Sequence, residues 1–219
     1  MIHQDCTTNS QDTVVKKFRR SGPLDAYIYK QGGDEENVKE GNTIHIPALP
    51  LISENNKSLK SIHVFTDGAC TQNGRKCAKA AWAFISINDS DRRILHKDSG
   101  KILPSDPQTN QRAELQALLN GLIYAKESQS NTCIWSDSQY AINCASVWGP
   151  SWKRKGWVKQ GGEIQHLDLI KPLVETTLIM GRMLEYKWVK AHKGGDAQYQ
   201  FPWMFNHSVD QLATNALGY

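Results

Sequence analysis

Ser61-Ile62-His63-Val64-Phe65-Thr66-Asp67-Gly68 is the stretch that decides the fold. Its first six residues are rich in β-branched and aromatic side chains, and Asp-Gly is a turn dipeptide. The stretch therefore reads as a buried strand that ends at Thr66 with an acid just beyond its carboxyl end. Two further strands follow, Ala81–Ile87 (AWAFISI) and 93–103 with a break at Gly100, and they complete a meander. Thr109-Asn110-Gln111 supplies a helix start. Leu115, Leu118, Leu119, Leu122 and Ala125 then recur at spacings of three and four, which predicts an amphipathic helix over 111–127. Thr132–Ser136 (TCIWS) is a short buried strand ending at Asp137, and 138–148 reads as the next helix. Residues 163–180 are predicted helical, 183–189 a strand and 206–217 a closing helix. The order β-β-β-α-β-α-α-β-α implies an α/β fold: a mixed five-stranded sheet, three antiparallel strands and then two strands alternating with helices, flanked by helices. Right-handed crossovers set the first strand parallel to 132–136, which brings Asp67 and Asp137 to one sheet end, where open α/β sheets place ligands.

Working outward, residues 1–60 show no sustained period and contain Gly32-Gly33-Asp34-Glu35-Glu36-Asn37, Pro47 and Pro50. They read as an irregular tail or linker, with 61–219 as the folded domain. The whole chain of 219 residues has 26 basic and 22 acidic side chains, a net charge of +4. The tail is neutral, with 8 of each sign, so the excess sits in 61–219, with 18 basic against 14 acidic. A nucleic-acid partner fits that balance, as do many soluble enzymes. No run of 18 apolar residues exists, which excludes a transmembrane helix. The first ten residues, MIHQDCTTNS, carry no signal-peptide pattern. Five cysteines without a Cys-x-x-Cys pair fit reduced thiols in an intracellular protein, cytoplasmic or nuclear, better than a disulfide framework or zinc ribbon.

Glu114, in the first turns of the long helix, and Asp210, in the last helix, join Asp67 and Asp137 as candidate functional acids. Any one of them is equally well a turn former, a helix cap or a solvated charge. Four converging on one crevice are different: two unit charges about 4 Å apart repel by roughly 4 kcal/mol at an effective dielectric of about 20. Two divalent cations would remove that repulsion. Oxygen-only ligands without a Cys/His cluster favour Mg²⁺, with Mn²⁺ as a substitute, over zinc.

Five segments now bear together: Phe65-Thr66-Asp67-Gly68-Ala69-Cys70, Thr109-Asn110-Gln111-Arg112-Ala113-Glu114-Leu115, Ser136-Asp137-Ser138-Gln139-Tyr140, Trp188-Val189-Lys190-Ala191-His192 and Asn206-His207-Ser208-Val209-Asp210-Gln211-Leu212-Ala213. In this order and on these elements they resemble the ribonuclease H family, type 1, over about residues 61–219. The resemblance implies a ribonuclease H-like fold and endonucleolytic hydrolysis of the RNA strand of RNA–DNA hybrids, leaving 5′-phosphate and 3′-hydroxyl ends. It implies that Asp67, Glu114, Asp137 and Asp210 bind two Mg²⁺, one activating the attacking water and one stabilising the leaving oxygen. His192 matches a loop histidine thought to assist proton movement or product departure. His63 and His96, by contrast, read as surface histidines.

The resemblance also places Asn73, Asn110 and Gln139 at positions that contact the hybrid beside the scissile strand, where the 2′-hydroxyl distinguishes RNA from DNA. Trp148, Trp152 and Trp157, interleaved with Lys153, Arg154, Lys155 and Lys159, look like the basic protrusion that grips the DNA strand. The alternative is a solvated charge run over core tryptophans. Thr109 matches a residue of the family's DNA-phosphate pocket, whose expected asparagine partner falls near Gln165-His166. The chain between His192 and Asp210 is longer than usual and adds the aromatic run Tyr199–Phe205, read as a lid, a platform, a partner surface or packing against the last helix. Lys16-Lys17-Phe18-Arg19-Arg20 suits nuclear entry, nucleic-acid contact or a solvated run, and Leu24–Ile28 faintly resembles a sliding-clamp-binding box. A monomer is expected. The competing readings are a ribonuclease H domain of a reverse transcriptase, against which Met1 and the 219-residue length speak, an integrase or resolvase cutting DNA, and a non-catalytic hybrid-binding module.

Overall fold

The computed structural model describes residues 60–191 and 199–218. The tail 1–59, including Leu24–Ile28, and His192 lie outside the described residues.

Five strands, β1 (Ser61–Thr71), β2 (Lys79–Asn88), β3 (Ile94–Lys101), β4 (Asn131–Ser136) and β5 (Leu184–Trp188), form one sheet in the order β3-β2-β1-β4-β5. β1 and β2 are antiparallel, as are β2 and β3, whereas β4 runs parallel to β1 and β5 parallel to β4. The mixed sheet expected from the sequence is the one observed. Helix α1 (Asn110–Ser128) connects β3 to β4. Next come α2 (Gln139–Asn143), a π-helical turn (Cys144–Trp148) and α3 (Gly149–Arg154), followed by α4 (Leu167–Met180) and α5 (Trp203–Ala216). No helix among the described residues is long and apolar enough to cross a membrane.

β1 is apolar on both faces because both faces are covered. Ile62 and Val64 join Leu115, Leu118 and Leu122 of α1, Ile134, and Leu173 and Val174 of α4 in the larger core. Phe65 joins Ile85, Ile87, Phe205 and Val209 in a second core under α5. The strand alternates between the two, as a period of two requires.

Several boundaries differ from the sequence reading. β1 does not stop at Thr66: its parallel pairing with β4 ends at Thr66↔Ser136, but its antiparallel pairing with β2 continues to Thr71↔Lys79. Asp67 thus sits inside a strand rather than in a turn. Gly100 does not break β3; it pairs with Trp82, and a Cβ there would lie 3.0 Å from the Trp82 ring, so the glycine makes room for the indole. The helix expected over 138–148 passes through the π-helical turn and runs on to Arg154. The helix expected from 163 starts at Leu167, because His166 has a left-handed backbone (φ 57°).

Part of the aromatic run before α5 is packing: Phe201 and Phe205 join the second core, while Tyr199 and Met204 are exposed. Phe201 sits edge-on against Phe65 (6.0 Å) and Trp135 (5.5 Å), the Arg92 guanidinium lies 4.0 Å above its ring, and Trp203–Phe205 form the first turn of α5. His63 is likewise no surface residue. Its side chain is 11% exposed, with Nε2 2.7 Å from Asp89 Oδ1, and its Nδ1 accepts from the Trp135 indole N–H (3.1 Å). Burial outweighs Asp89 and holds its pKa below the ordinary histidine value. His96 is exposed, stacked on Tyr124.

Candidate active site

Asp67, Glu114 and Asp137 each present a carboxylate oxygen within 4.8 Å of the others, from β1, from α1 and from the turn after β4. Asp210 on α5 stands outside that tight group but lines the same cleft of about 380 Å³, together with Asn110, Cys70 and Thr214. All four acids singled out in the sequence therefore face one opening.

The approach of α1 to β1 depends on Gly68. A Cβ there would fall 2.4 Å from the Glu114 nitrogen and 2.8 Å from the Ala113 Cβ, so only glycine lets the helix bring Glu114 against Asp67. The helix itself is started by Thr109, whose hydroxyl accepts from the Arg112 N–H (3.2 Å), the usual cap geometry. Arg112 is buried and donates to both Asp168 carboxylate oxygens and to Asp106, which ties the start of α1 to the start of α4. At Asp137, the Trp188 indole N–H donates to the main-chain carbonyl (3.0 Å). Gly68, Arg112 and Trp188 carry no reactive group, and residue chemistry alone assigns none of them a role. The signal that could have found them is their place inside the quoted segments.

Burial makes the site electrostatically unhappy on its own. Asp67 is 5% and Glu114 7% exposed. Desolvation first, then the Asp137 and Asp210 charges, push Asp67 up to about 8, against the partial relief of the Gly68 amide. Desolvation, followed by Asp67 and Asp137, likewise raises Glu114 well above the ordinary glutamate value. Glu114 Oε2 is buried without a hydrogen-bond partner. A buried acceptor of this kind amid like charges fits a cation, and hard carboxylate oxygens suit Mg²⁺ or Mn²⁺.

The flanking residues are arranged around this cleft. The Asn110 side-chain amide donates to Glu114 Oε1 (3.5 Å), and its backbone N–H donates to Asn73 Oδ1 (3.3 Å), so Asn73 and Asn110 are linked. Gln139, exposed at the start of α2, donates to Asn143 (3.3 Å). Trp148 is exposed, whereas Trp152 and Trp157 are half-buried and pack on the larger core. The latter two brace the basic segment, while Lys153, Arg154 and Lys155 are exposed. Trp148 and Trp152 also line a groove of about 420 Å³ with Gln111, Tyr140 and Gln165.

Known proteins share this fold and sequence pattern. The RNase H family model matches residues 59–218. Ribonuclease H of Wolbachia sp. subsp. Drosophila simulans is 29% identical over 161 residues, covering 73% of this chain and 97% of that protein. Ribonuclease H of Anaplasma marginale is 31% identical, covering 69% and 87%. The solution structure of the PFV RNase H domain superposes with a TM-score of 0.62 at 20% identity, over 74% of this chain and 96% of that domain. With the family model spanning most of its length and the acids of the quoted motifs gathered at one cleft, the chain belongs to the RNase H family, type 1, and is a ribonuclease H.

Proposed function

We propose that this ribonuclease H cuts the RNA strand of RNA–DNA hybrids at internal positions, leaving 5′-phosphate and 3′-hydroxyl ends, with two Mg²⁺ held by Asp67, Glu114, Asp137 and Asp210. The observation that carries the reading is the convergence of Asp67, Glu114 and Asp137 within 4.8 Å, with two of them buried. When bound, such ions lower the pKa of water and offset the charge that builds on the leaving oxygen. The protein's own part is to hold the acids together at neutral pH and to present the RNA strand to them.

Asn110 suits that second task. Its amide already points at Glu114, so a 2′-hydroxyl lying between the two would find both a donor and an acceptor. Asn73 and Gln139 extend the same polar rim, and amides that read the sugar rather than the bases give cleavage without sequence preference. The exposed cations Lys153, Arg154 and Lys155 would neutralise phosphates of the DNA strand, with Trp148 beside them. Thr109 serves the helix cap, and its hydroxyl hydrogen remains available for a phosphate. A non-catalytic hybrid-binding module would have no use for mutually repelling, buried carboxylates.

The test is cleavage of end-labelled RNA–DNA hybrid, duplex DNA and duplex RNA with Mg²⁺, with Mn²⁺ and with EDTA. Hybrid alone should be cut, at internal sites, and only with the divalent ion. Asp67→Asn, Glu114→Gln and Asp137→Asn should each lower the rate by orders of magnitude while still binding hybrid. Cleavage of duplex DNA, or undiminished turnover in these variants, would defeat the reading.

A further inference from the structure

We infer that Trp188 is a positioning residue that aims Asp137 at the metal-binding acids. The three clustered carboxylates differ in how their backbones are held. Asp67 lies inside β1, paired with Ala83, and Glu114 lies inside α1. Asp137 has neither support: it follows the last ladder pair, Ser136↔Trp188, and precedes α2, in a bend. Its side chain is half-buried.

Other contacts take the place of a ladder there. The Val189 N–H donates to the Ser136 carbonyl (3.1 Å), and the Ser138 N–H donates to Ser136 Oγ (3.1 Å). The Ser138 hydroxyl in turn caps α2 by accepting from the Ala141 N–H (3.3 Å). The Asp137 carbonyl shares a peptide plane with the Ser138 N–H, and the Trp188 indole N–H, at 3.0 Å, holds the opposite edge of that plane. With both edges held, the peptide plane after Asp137 keeps its tilt and the carboxylate its aim towards Asp67 and Glu114. Without the indole bond the plane is held at its Ser138 edge alone, and a metal ligand whose backbone can tilt holds its ion more weakly.

The surroundings of Trp188 separate this role from ordinary packing. Its side chain is 52% exposed and belongs to none of the core clusters, unlike Trp82, Trp135, Trp152 and Trp157. A half-exposed tryptophan contributes little core burial, and a phenylalanine there would keep part of its aromatic contact. What only tryptophan supplies at this point is the donor at the edge of the ring.

The inference rests on the reading of Asp137 as a metal ligand, and the experiment separates the two. Mg²⁺ is titrated calorimetrically into the parent protein, Trp188→Phe and Asp137→Asn, without substrate, and thermal midpoints and hybrid cleavage are measured alongside. Loss of one net hydrogen bond predicts a Mg²⁺ dissociation constant about fivefold higher in Trp188→Phe. The Mg²⁺ concentration for half-maximal cleavage should rise by the same factor, with KM for the hybrid and the thermal midpoint nearly unchanged. Benzothienylalanine at position 188 keeps the bicyclic shape and removes only the N–H; it should reproduce the shift and decides the matter if the phenylalanine variant folds poorly. A fall in thermal midpoint with unaltered Mg²⁺ affinity, or an isostere indistinguishable from tryptophan, overturns the positioning role. If Asp137→Asn itself leaves Mg²⁺ binding intact, the site reading fails; if it abolishes binding while Trp188→Phe does not weaken it, the role of Trp188 alone fails.

Discussion

Replacing Asp67 by asparagine should make the metal-free protein more stable while destroying its activity. Asp67 titrates at about 8 in the folded protein against 3.8 for a solvated aspartate, because burial and the neighbouring Asp137 and Asp210 oppose its charge. Its folded-state pKa is raised, so the native state holds this proton more tightly than the unfolded chain does. The resulting penalty is absent below about pH 4, grows as pH rises, and is complete above about pH 8. At pH 7 roughly three pH units of it have accumulated, on the order of 4 kcal/mol. Asparagine removes the charge and keeps an oxygen that can accept from the Gly68 N–H, now 2.8 Å from Asp67 Oδ1. Its buried NH₂ group returns about 1–3 kcal/mol of the gain as unmatched polarity. A net stabilisation of about 1–3 kcal/mol remains, which for a domain of this size raises the thermal midpoint by roughly 2–10 °C. Urea and thermal denaturation in EDTA at pH 4, 5.5, 7 and 8.5 measure it. The advantage of the variant should turn into a deficit near pH 4, where only the cost of the buried NH₂ group is left, widen to a plateau above pH 8, and shrink when Mg²⁺ is added, because the ion stabilises the parent more than the variant. A variant less stable than its parent at pH 7 in EDTA, or an advantage that ignores pH, would refute the electrostatic account of the site.

Three further outcomes are expected. Gly68→Ala places a methyl group 2.4 Å from the Glu114 nitrogen, so it should cost about 1–3 kcal/mol in urea titrations and also abolish cleavage, since α1 must retreat with Glu114 on it. Arg112→Met breaks the bridge between the starts of α1 and α4; a loss of about 1–3 kcal/mol is expected, smaller if Asp168, whose side chain is 57% exposed, resolvates fully. Changing Lys153, Arg154 and Lys155 together to alanine should weaken hybrid binding and flatten the log–log salt dependence by about 0.7–0.9 for each phosphate left without its cation, with kcat at saturating hybrid retained; an unchanged slope would show that these cations face solvent alone.

Much of this architecture is written locally. The apolar run of β1, the three-and-four spacing of α1 and the acids after Thr66 and Ser136 fix the sheet, the main helix and the site's location, because each signal lies within one element. What the sequence could not convey depends on contacts between distant segments. The continuation of β1 past Asp67 is set by β2 outlasting β4 as a partner, a matter of register. His63 is buried because Asp89 and Trp135 happen to reach it, and the packing part of the Tyr199–Phe205 run shows only once Phe201 meets Phe65, Trp135 and Arg92. Of the tryptophans in the basic segment, Trp152 and Trp157 are braces, and only Trp148 stands out to solvent. Trp188 is visible in the sequence as part of a motif, but its bond to Asp137 joins residues 51 positions apart.

The unequal lengths of the two pairings on β1 have a bearing on solubility as well as on chemistry. From Asp67 to Thr71 the strand has a neighbour in β2 but none in β4, and a half-paired strand is ordinarily an invitation to a stray one from another molecule. Here the first amide on the open side, that of Gly68, is already engaged by the Asp67 carboxylate, and Glu114 and Asp137 stand around it. An incoming backbone would find that donor already taken and carboxyl oxygens standing where it needs further N–H groups. The residues of the site therefore also close the seam to a stray strand.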